Sequence, residues 1–167
     1  MFLFSEKQAV LVENIAKILI SKKETVGVAE SSSGGLISAL LLSFPGASQY
    51  YMGGGVLYSY AIRDSLIGMS EKDHEQYGKG TPEVISELSK RFLNKTPGIT
   101  WCIGEAGAAG PLGSPYGYPA GHSVVAVSGP ICRTKVIETG AADRVANMIQ
   151  FSTEALELFY QVLKDNM

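Results

Sequence analysis

Cysteine and histidine are scarce in this sequence, and neither occurs at the spacing of a metal site. The 167 residues include only two of each, Cys102, Cys132, His74 and His122. Zinc sites draw their ligands from closely spaced cysteines and histidines, and disulfide-stabilised secreted domains need a denser cysteine framework. The pattern therefore predicts reduced cysteines, no metal and an intracellular protein.

An excess of positive charge is also missing. The 14 basic residues stand against 16 acidic ones, which gives a formal net charge of -2. Proteins that bind nucleic acids carry clustered lysine and arginine side chains to pair with phosphates. We therefore expect no nucleic-acid partner.

Long hydrophobic runs do not occur either. The longest largely apolar stretch covers residues 36–42, whereas a transmembrane helix needs about 20 apolar residues. The first residues, MFLFSEK, lack the basic segment and apolar core of a signal peptide. These features predict a cytoplasmic protein without a membrane partner.

The signatures of common nucleotide cofactors are absent too. The chain has no Walker lysine motif, and Gly104, Gly107 and Gly110 are followed by Pro111 and turn residues. A dinucleotide-binding fingerprint requires a different glycine spacing and a helix directly after it. No bound cofactor is therefore expected.

The chain does contain enough apolar sequence for one substantial core, since 46% of its residues are hydrophobic. Apolar residues at helical spacing and helix-capping residues predict helices at Glu6–Lys22, from Pro82 onward and from Asp143 onward. Strands are predicted near residues 25–30, 54–59, 100–105, 123–128 and 134–139. This alternation predicts a layered α/β domain, and the short connection between the last two strands favours an antiparallel pair in a mixed sheet.

The most informative segment, VGVAESSSGGL at residues 26–36, lies where a predicted strand turns into a helix. Serines at such a junction can accept hydrogen bonds from first-turn amides, and glycines let a ligand approach the backbone. Those amides also attract anions. Taken by itself, the segment favours serines that only cap the helix.

Five segments in this order resemble the CinA carboxy-terminal domain family: AESSSGG, PGAS, GGGVLYS, GAAGP and a late Gly-His-Ser. The resemblance implies a three-layer α/β/α sandwich with a mixed, mostly parallel central sheet. It also implies a single stand-alone domain covering residues 1–167. Members of the family include nicotinamide-nucleotide amidases, which hydrolyse the carboxamide of nicotinamide mononucleotide to nicotinic acid mononucleotide and ammonia.

The resemblance implies that Ser31 is the nucleophile and that Tyr58 also belongs to the catalytic site. Arg63 stands where the amidases carry a lysine, and a guanidinium has no lone pair with which to accept a proton. We hypothesise that the charge of Arg63 stabilises a Tyr58 phenolate, which takes the serine proton. The alternative is that Tyr58 packs its ring in a strand and Arg63 is a solvated helix residue.

Further candidate ligand-binding residues lie in the serine-glycine segment and in later strand ends and loops. They are Glu30, Ser32, Ser33, Gly34, Gly35, Glu105, Gly107, Gly110 and His122. The amides around Ser33 and Gly34 are candidates for an oxyanion site. Glu105 or His122 could supply a replacement base, and the alternatives are a solvated carboxylate and a histidine bonded to backbone.

The glycine-rich loop at residues 107–121 adds two aromatic side chains, Tyr116 and Tyr118. These rings could stack on a nicotinamide-like ring or could simply close the edge of the domain. His74 lies in a polar segment and is expected at the surface.

The leading hypothesis is an amidohydrolase that deamidates nicotinamide mononucleotide or a related small amide. The substrate is left open because Ala106, Tyr118, Ala141 and Ala142 replace polar residues of the family's amidases. The alternative, motivated by Arg63, is a catalytically silent module that binds a small anionic ligand or acts in assembly or regulation. A homo-oligomer is expected, because small layered domains often cover a sheet edge by self-association.

Overall fold

The computed structural model describes residues 4–167, which form five strands and six α-helices. The helices are α1 (Glu6–Lys22), α2 (Leu36–Leu42), α3 (Tyr60–Ile67), α4 (Glu71–Tyr77), α5 (Pro82–Lys95) and α6 (Arg144–Asp165). The strands are β1 (Val26–Glu30), β2 (Tyr51–Val56), β3 (Trp101–Ala108), β4 (His122–Ser128) and β5 (Arg133–Glu138). A single 3-10 turn, Ala47–Gln49, precedes β2.

Helix ends follow the capping chemistry of the sequence. Ser5 and Gln8 form a reciprocal capping box at the start of α1, which satisfies two amides that have no partner within the helix. Thr81 caps α5 ahead of Pro82, and the Asp143 side chain caps α6. The predicted starts of these three helices are confirmed.

The sheet has the strand order β2-β1-β3-β4-β5. Strand β1 is parallel to both β2 and β3, while β4 is antiparallel to both β3 and β5. The mixed sheet is confirmed, but "mostly parallel" is too strong, because the pairings divide evenly between the two kinds. No helix connects β3 to β4 or β4 to β5, and a direct connection reverses the strand direction.

Strand β2 lies three residues earlier than predicted, at Tyr51–Val56 instead of 54–59. Ser59 does not continue the strand, because its hydroxyl accepts a hydrogen bond from the Ile62 amide as the N-cap of α3. The chain therefore leaves the sheet at Leu57, whose amide donates to the Glu30 carbonyl at 2.7 Å.

Two cores lie on opposite faces of the sheet, which confirms the three-layer arrangement. One contains α1, α2 and α6 packed on strand residues such as Val28, Ile103 and Val125. The other contains α5 packed on Ala29 and Val124. Because side chains alternate along a strand, residues 30 and 105 point to the α2 side, whereas 106 and 122 point to the α5 side.

None of the helices within residues 4–167 has the length and apolar character that crossing a membrane requires.

The core on the α6 side should contribute strongly to stability. We predict that Leu156→Ala, at a buried position of α6, lowers the free energy of unfolding by about 2 to 5 kcal/mol, because it leaves a cavity. The control Leu66→Ala makes the same substitution at a position 57% exposed and should change stability by less than about 0.5 kcal/mol. Urea unfolding measures both, and equal effects would contradict this assignment of the core.

Candidate functional site

The turn after β1 is organised around the buried carboxylate of Glu105. One of its oxygens accepts hydrogen bonds from the amides of Ser31 at 3.1 Å and Ser33 at 2.9 Å. Its other oxygen accepts from the hydroxyls of Ser32 and, at 2.8 Å, Ser123. Glu105 therefore fixes this turn against β3 and β4, and the alternative of a solvated carboxylate is wrong.

A second buried carboxylate, Glu30, anchors the start of α2. It accepts hydrogen bonds from the amides of Ile37 and Ser38, each at 3.1 Å, and from the Ser38 hydroxyl at 2.6 Å. The Ser33 hydroxyl lies between the two carboxylates, 2.7 Å from a Glu30 oxygen and 2.8 Å from a Glu105 oxygen. Negative charge at a helix N-terminus is favourable, so the role of Glu30 is structural: it stabilises the start of α2.

This network leaves one of the three neighbouring hydroxyls free. Ser32 and Ser33 donate to carboxylates, whereas the Ser31 hydroxyl has no hydrogen-bond partner within residues 4–167. Ser31 is nearly buried and lines a cavity. A serine that is held by its backbone while its hydroxyl faces a cavity is placed to act as a nucleophile.

The predicted oxyanion site needs a correction. The Ser33 amide donates to Glu105, and the Gly34 amide donates to the Ser31 carbonyl at 3.0 Å. Of the amides at residues 31–34, only that of Ser32 lacks a partner in the described part of the chain. An oxyanion donor in this turn would therefore be the amide directly after the candidate nucleophile.

The cavity, of about 410 Å³, lies on the α5 side of the sheet, between its strand ends, α3 and the loop that follows β3. Seven predicted site residues line it: Ser31, Ser32, Tyr58, Arg63, Gly107, Gly110 and His122. Five others do not: Glu30, Ser33, Gly34, Gly35 and Glu105. The two carboxylates lie beneath the turn because they point to the opposite face of the sheet.

Gly34 and Gly35 are explained by the turn itself. Their φ angles are 66° and 96°, values that side-chain-bearing residues rarely adopt. The tight turn into α2 thus requires glycine at these positions without any approach of a ligand.

Arg63 is buried, with only 5% of the residue exposed, so the alternative of a solvated helix residue is wrong. Its Nε donates to the Leu57 carbonyl at 2.8 Å, and its guanidinium carbon lies 5.8 Å from the centre of the Tyr60 ring. Burial lowers the pKa of Arg63 from its ordinary value, yet a guanidinium remains charged in proteins. Tyr58 is 62% exposed at the cavity edge, and its role as proton acceptor stays a prediction.

Tyr60 is a site residue that sequence reasoning missed. Its hydroxyl is hydrogen-bonded to that of Tyr116, and its ring lies against that of His74 at 4.4 Å between centroids, with the two planes tilted by 33°. Burial, followed by the bond to Tyr116, raises the pKa of Tyr60. The tyrosine beside Arg63 therefore keeps its proton at neutral pH and is a poor base.

His74 is buried, although its polar sequence context predicts a surface position. It is 1% exposed, and its Nε2 atom has no hydrogen-bond partner among the described residues. Burial, and then the positive charge of Arg63, lower the pKa of His74 to about 4. His74 is thus a neutral imidazole on the cavity wall at neutral pH.

His122 lies on the cavity wall at the start of β4. Its Nδ1 contacts the Glu138 carboxylate on the neighbouring strand, and its ring stacks on Tyr118 at 4.1 Å. The expected alternative of a backbone partner is wrong, and the Nε2 atom is buried without a partner in the described structure. Glu138 was missed because only the β4–β5 register places it opposite His122.

The loop at residues 107–121 contributes both predicted tyrosines to the cavity wall. The Tyr116 hydroxyl is hydrogen-bonded to that of Tyr60, and the Tyr118 ring covers His122, so each tyrosine already contacts a protein side chain. Arg144 at the start of α6 also lines the cavity and donates to the Gly110 carbonyl at 2.6 Å. No motif in the sequence marked Arg144, which the fold brings to this loop.

Known proteins similar to this chain share one family description. The model of the CinA C-terminal domain matches residues 8–163. A CinA-like protein of Desulforapulum autotrophicum is 30% identical over 156 residues, covering 93% of this chain and 37% of that protein. A CinA-like protein of Prochlorococcus marinus strain MIT 9215 is 35% identical over 129 residues, covering 77% and 30%. The chain thus spans about a third of the length of these relatives.

The fold is also that of a solved structure, a competence/damage inducible protein from Agrobacterium tumefaciens. The TM-score is 0.89, with 98% of this chain and 99% of that chain covered at 22% sequence identity. At this level of identity the likeness establishes the fold alone.

The Glu105 carboxylate should be essential for the turn after β1. Glu105→Gln keeps the shape but replaces an acceptor oxygen with a donor group that faces other donors, so we predict a loss of about 2 to 4 kcal/mol of stability. Urea unfolding measures the loss, with the exposed Glu83→Gln as the control. Equal stability of the two variants would show that the network does not depend on the charge.

His74 should make the protein sensitive to mild acid. Its pKa is about 4 in the folded protein against an ordinary 6.5, so the unfolded chain takes up a proton that folded His74 does not. Stability should therefore fall as the pH drops from 6.5 towards 4. His74→Leu removes this contribution, and its stability relative to wild type should rise by about 1 to 3 kcal/mol over that interval. Urea unfolding at each pH measures the free energy of unfolding of both proteins. An equal change in that free energy for the two proteins between pH 6.5 and pH 4 would contradict this assignment.

Proposed function

The chain belongs to the CinA C-terminal domain family, and on that premise we propose that it hydrolyses a small amide with Ser31 as the nucleophile. The proposed substrate is nicotinamide mononucleotide or a related carboxamide. The cavity of about 410 Å³ is in the range of small-molecule sites. The proposal involves no nucleic acid, no membrane and no cofactor.

The observation that carries this proposal is the free hydroxyl of Ser31. Two neighbouring serines, Ser32 and Ser33, have their hydroxyls bound to buried carboxylates, and of these three serines only Ser31 has a hydroxyl without a hydrogen-bond partner among residues 4–167. Its backbone is fixed through the Glu105 carboxylate. Such fixation supports catalysis, because a nucleophile held in position loses little freedom when it reacts.

In the proposed reaction the Ser31 oxygen attacks the amide carbon, and the carbonyl oxygen acquires negative charge. The unpartnered amide of Ser32 would stabilise that oxygen. The carbon–nitrogen bond then breaks, the nitrogen leaves as ammonia after taking up a proton, and water hydrolyses the acyl-serine.

The serine proton requires an acceptor, and Arg63 cannot provide one. Tyr58, at the cavity edge, is the proposed acceptor. The imidazoles of His74 and His122 are further candidates, because each has an Nε2 atom without a partner in the described structure on a residue of the cavity wall. An imidazole can accept a proton at a nitrogen that carries a lone pair.

Arg63 also favours a second candidate function, a catalytically silent module that binds a small anionic ligand. The buried guanidinium occupies the position of the lysine that serves the family's amidases. Loss of that base would leave a folded cavity with binding but no turnover. The two candidates differ in one measurable property, the release of ammonia.

We expect the purified protein to release ammonia from nicotinamide mononucleotide and to form nicotinic acid mononucleotide. Ser31→Ala should reduce the rate by at least about 1,000-fold, because it removes the oxygen that attacks the amide carbon. Ser21→Ala, at an exposed position of α1, is the matched control and should keep the wild-type rate. Tyr58→Phe tests the proposed proton acceptor in the same assay.

Equal rates for the Ser31→Ala and wild-type proteins would exclude Ser31 as the nucleophile. No turnover by the wild-type protein on this substrate or on related carboxamides would favour the silent module.

A further inference from the structure

Residues 111–118 form an outer wall of the cavity. This segment, PLGSPYGY, belongs to the glycine-rich loop between β3 and β4. Most of it lines the cavity: Leu112, Gly113, Ser114, Pro115, Tyr116 and Tyr118. The segment also faces solvent, since Leu112 is 83% exposed and Tyr116 is 44% exposed. A segment with a cavity on one side and water on the other covers that cavity.

The segment is hydrogen-bonded mainly to itself. The Ser114 amide donates to the Tyr118 carbonyl at 2.8 Å. The Ser114 hydroxyl accepts from the amides of Tyr116 at 3.3 Å and Tyr118 at 3.2 Å. Within residues 4–167, the only hydrogen bond from this segment to another part of the chain joins the hydroxyls of Tyr116 and Tyr60. A loop whose bonds are internal can keep its shape while it moves relative to the domain.

Both ends of the segment are held by the domain. Just before it, the Gly110 carbonyl accepts a hydrogen bond from Arg144 at 2.6 Å. At its last residue, the Tyr118 ring stacks on His122 at 4.1 Å. Shortly after it, the Gly121 amide donates to the last residue of β3 at 2.8 Å. A movement that pivots on these ends displaces the middle of the segment most.

The contact between Tyr116 and Tyr60 joins the middle of the segment to α3, another wall of the cavity. Tyr60 is the first residue of α3. The Nζ atom of Lys79 lies 5.2 Å from the centre of the Tyr60 ring and 5.4 Å from that of Tyr116, and Glu71 pairs with Lys79 at 2.9 Å. Exposed cation–π contacts and hydrogen bonds that compete with water contribute little net stability. These contacts therefore hold the segment against α3 only weakly.

We propose that residues 111–118 are a lid over the cavity and that the hydrogen bond between Tyr60 and Tyr116 is its latch. With the latch closed, the segment bridges to α3. When the latch breaks, the middle of the segment moves away from α3 and admits a small molecule. The proposal concerns access to the cavity, so it goes beyond the proposed function and applies equally to a hydrolase and to a silent binding module.

Alkylation of a cysteine inside the cavity tests the lid. Ser31→Cys places a thiol on the cavity wall, and Cys132→Ser removes the exposed native thiol, while Cys102 is buried. Iodoacetamide alkylates the thiolate, forming a sulfur–carbon bond and releasing iodide, and mass spectrometry follows the reaction. In this background Tyr116→Phe should raise the alkylation rate at position 31 at least about 3-fold, because loss of the latch increases the open population.

Tyr60→Phe removes the other hydroxyl of the latch and should raise the rate equally. The double variant Tyr60→Phe, Tyr116→Phe should show no further increase, because both changes break the same hydrogen bond. The control Tyr160→Phe makes the same substitution on α6, outside the cavity lining, and should leave the alkylation rate unchanged.

Equal alkylation rates with the latch intact and removed would overturn the proposal, and so would a double variant in which the two increases multiply. If circular dichroism shows that Ser31→Cys does not fold, Ala106→Cys, at another position of the cavity wall, gives the same comparison. Alkylation involves no amide hydrolysis. Faster alkylation without the latch, in a protein that releases no ammonia, would therefore support the lid while removing the hydrolase function.

Discussion

The hydrogen bonds to the buried Glu105 carboxylate hold the site together. This side chain comes from the central strand β3, and it binds the turn after β1 as well as Ser123 on β4. A carboxylate at this depth is tolerated because amides and hydroxyls surround it. The hydroxyls of Ser32 and Ser33 donate hydrogen bonds to this carboxylate, whereas the Ser31 hydroxyl does not.

Because side chains alternate along the strands, the carboxylates that hold the turn and the side chains that line the cavity lie on opposite faces of the sheet. Glu30 and Glu105 lie on the α2 side of the sheet, where they hold backbone amides. His122 lies on the α5 side, where Arg63 and the tyrosines of the glycine-rich loop also meet. One face of the sheet thus fixes the turn, and the other contributes side chains to the cavity wall.

Arginine at position 63 affects the chemistry of the cavity more than it affects the fold. A buried lysine can lose its proton and act as a base, whereas an arginine in the same place stays charged. Burial, and then that charge, lower the pKa of His74, and the guanidinium carbon lies 5.8 Å from the centre of the Tyr60 ring. The wall therefore holds a fixed positive charge at this position.

Capping residues and apolar periodicity predicted the layered α/β fold and the starts of α1, α5 and α6, because these features depend on neighbours within a few residues. They also predicted a strand-to-helix junction with Ser31 at its centre. The even division of parallel and antiparallel pairings was less predictable, since it depends on which strands pair.

The sequence by itself determined the elements, the serine turn and the presence of arginine at position 63. Only the tertiary structure decided that Glu105 lies beneath the turn, that His74 is buried and that Glu138 contacts His122. The reason is physical: these contacts join segments that are distant in sequence, and they depend on sheet register and helix packing. Burial and hydrogen-bond partners, which set the chemistry of a polar side chain, are properties of the assembled fold.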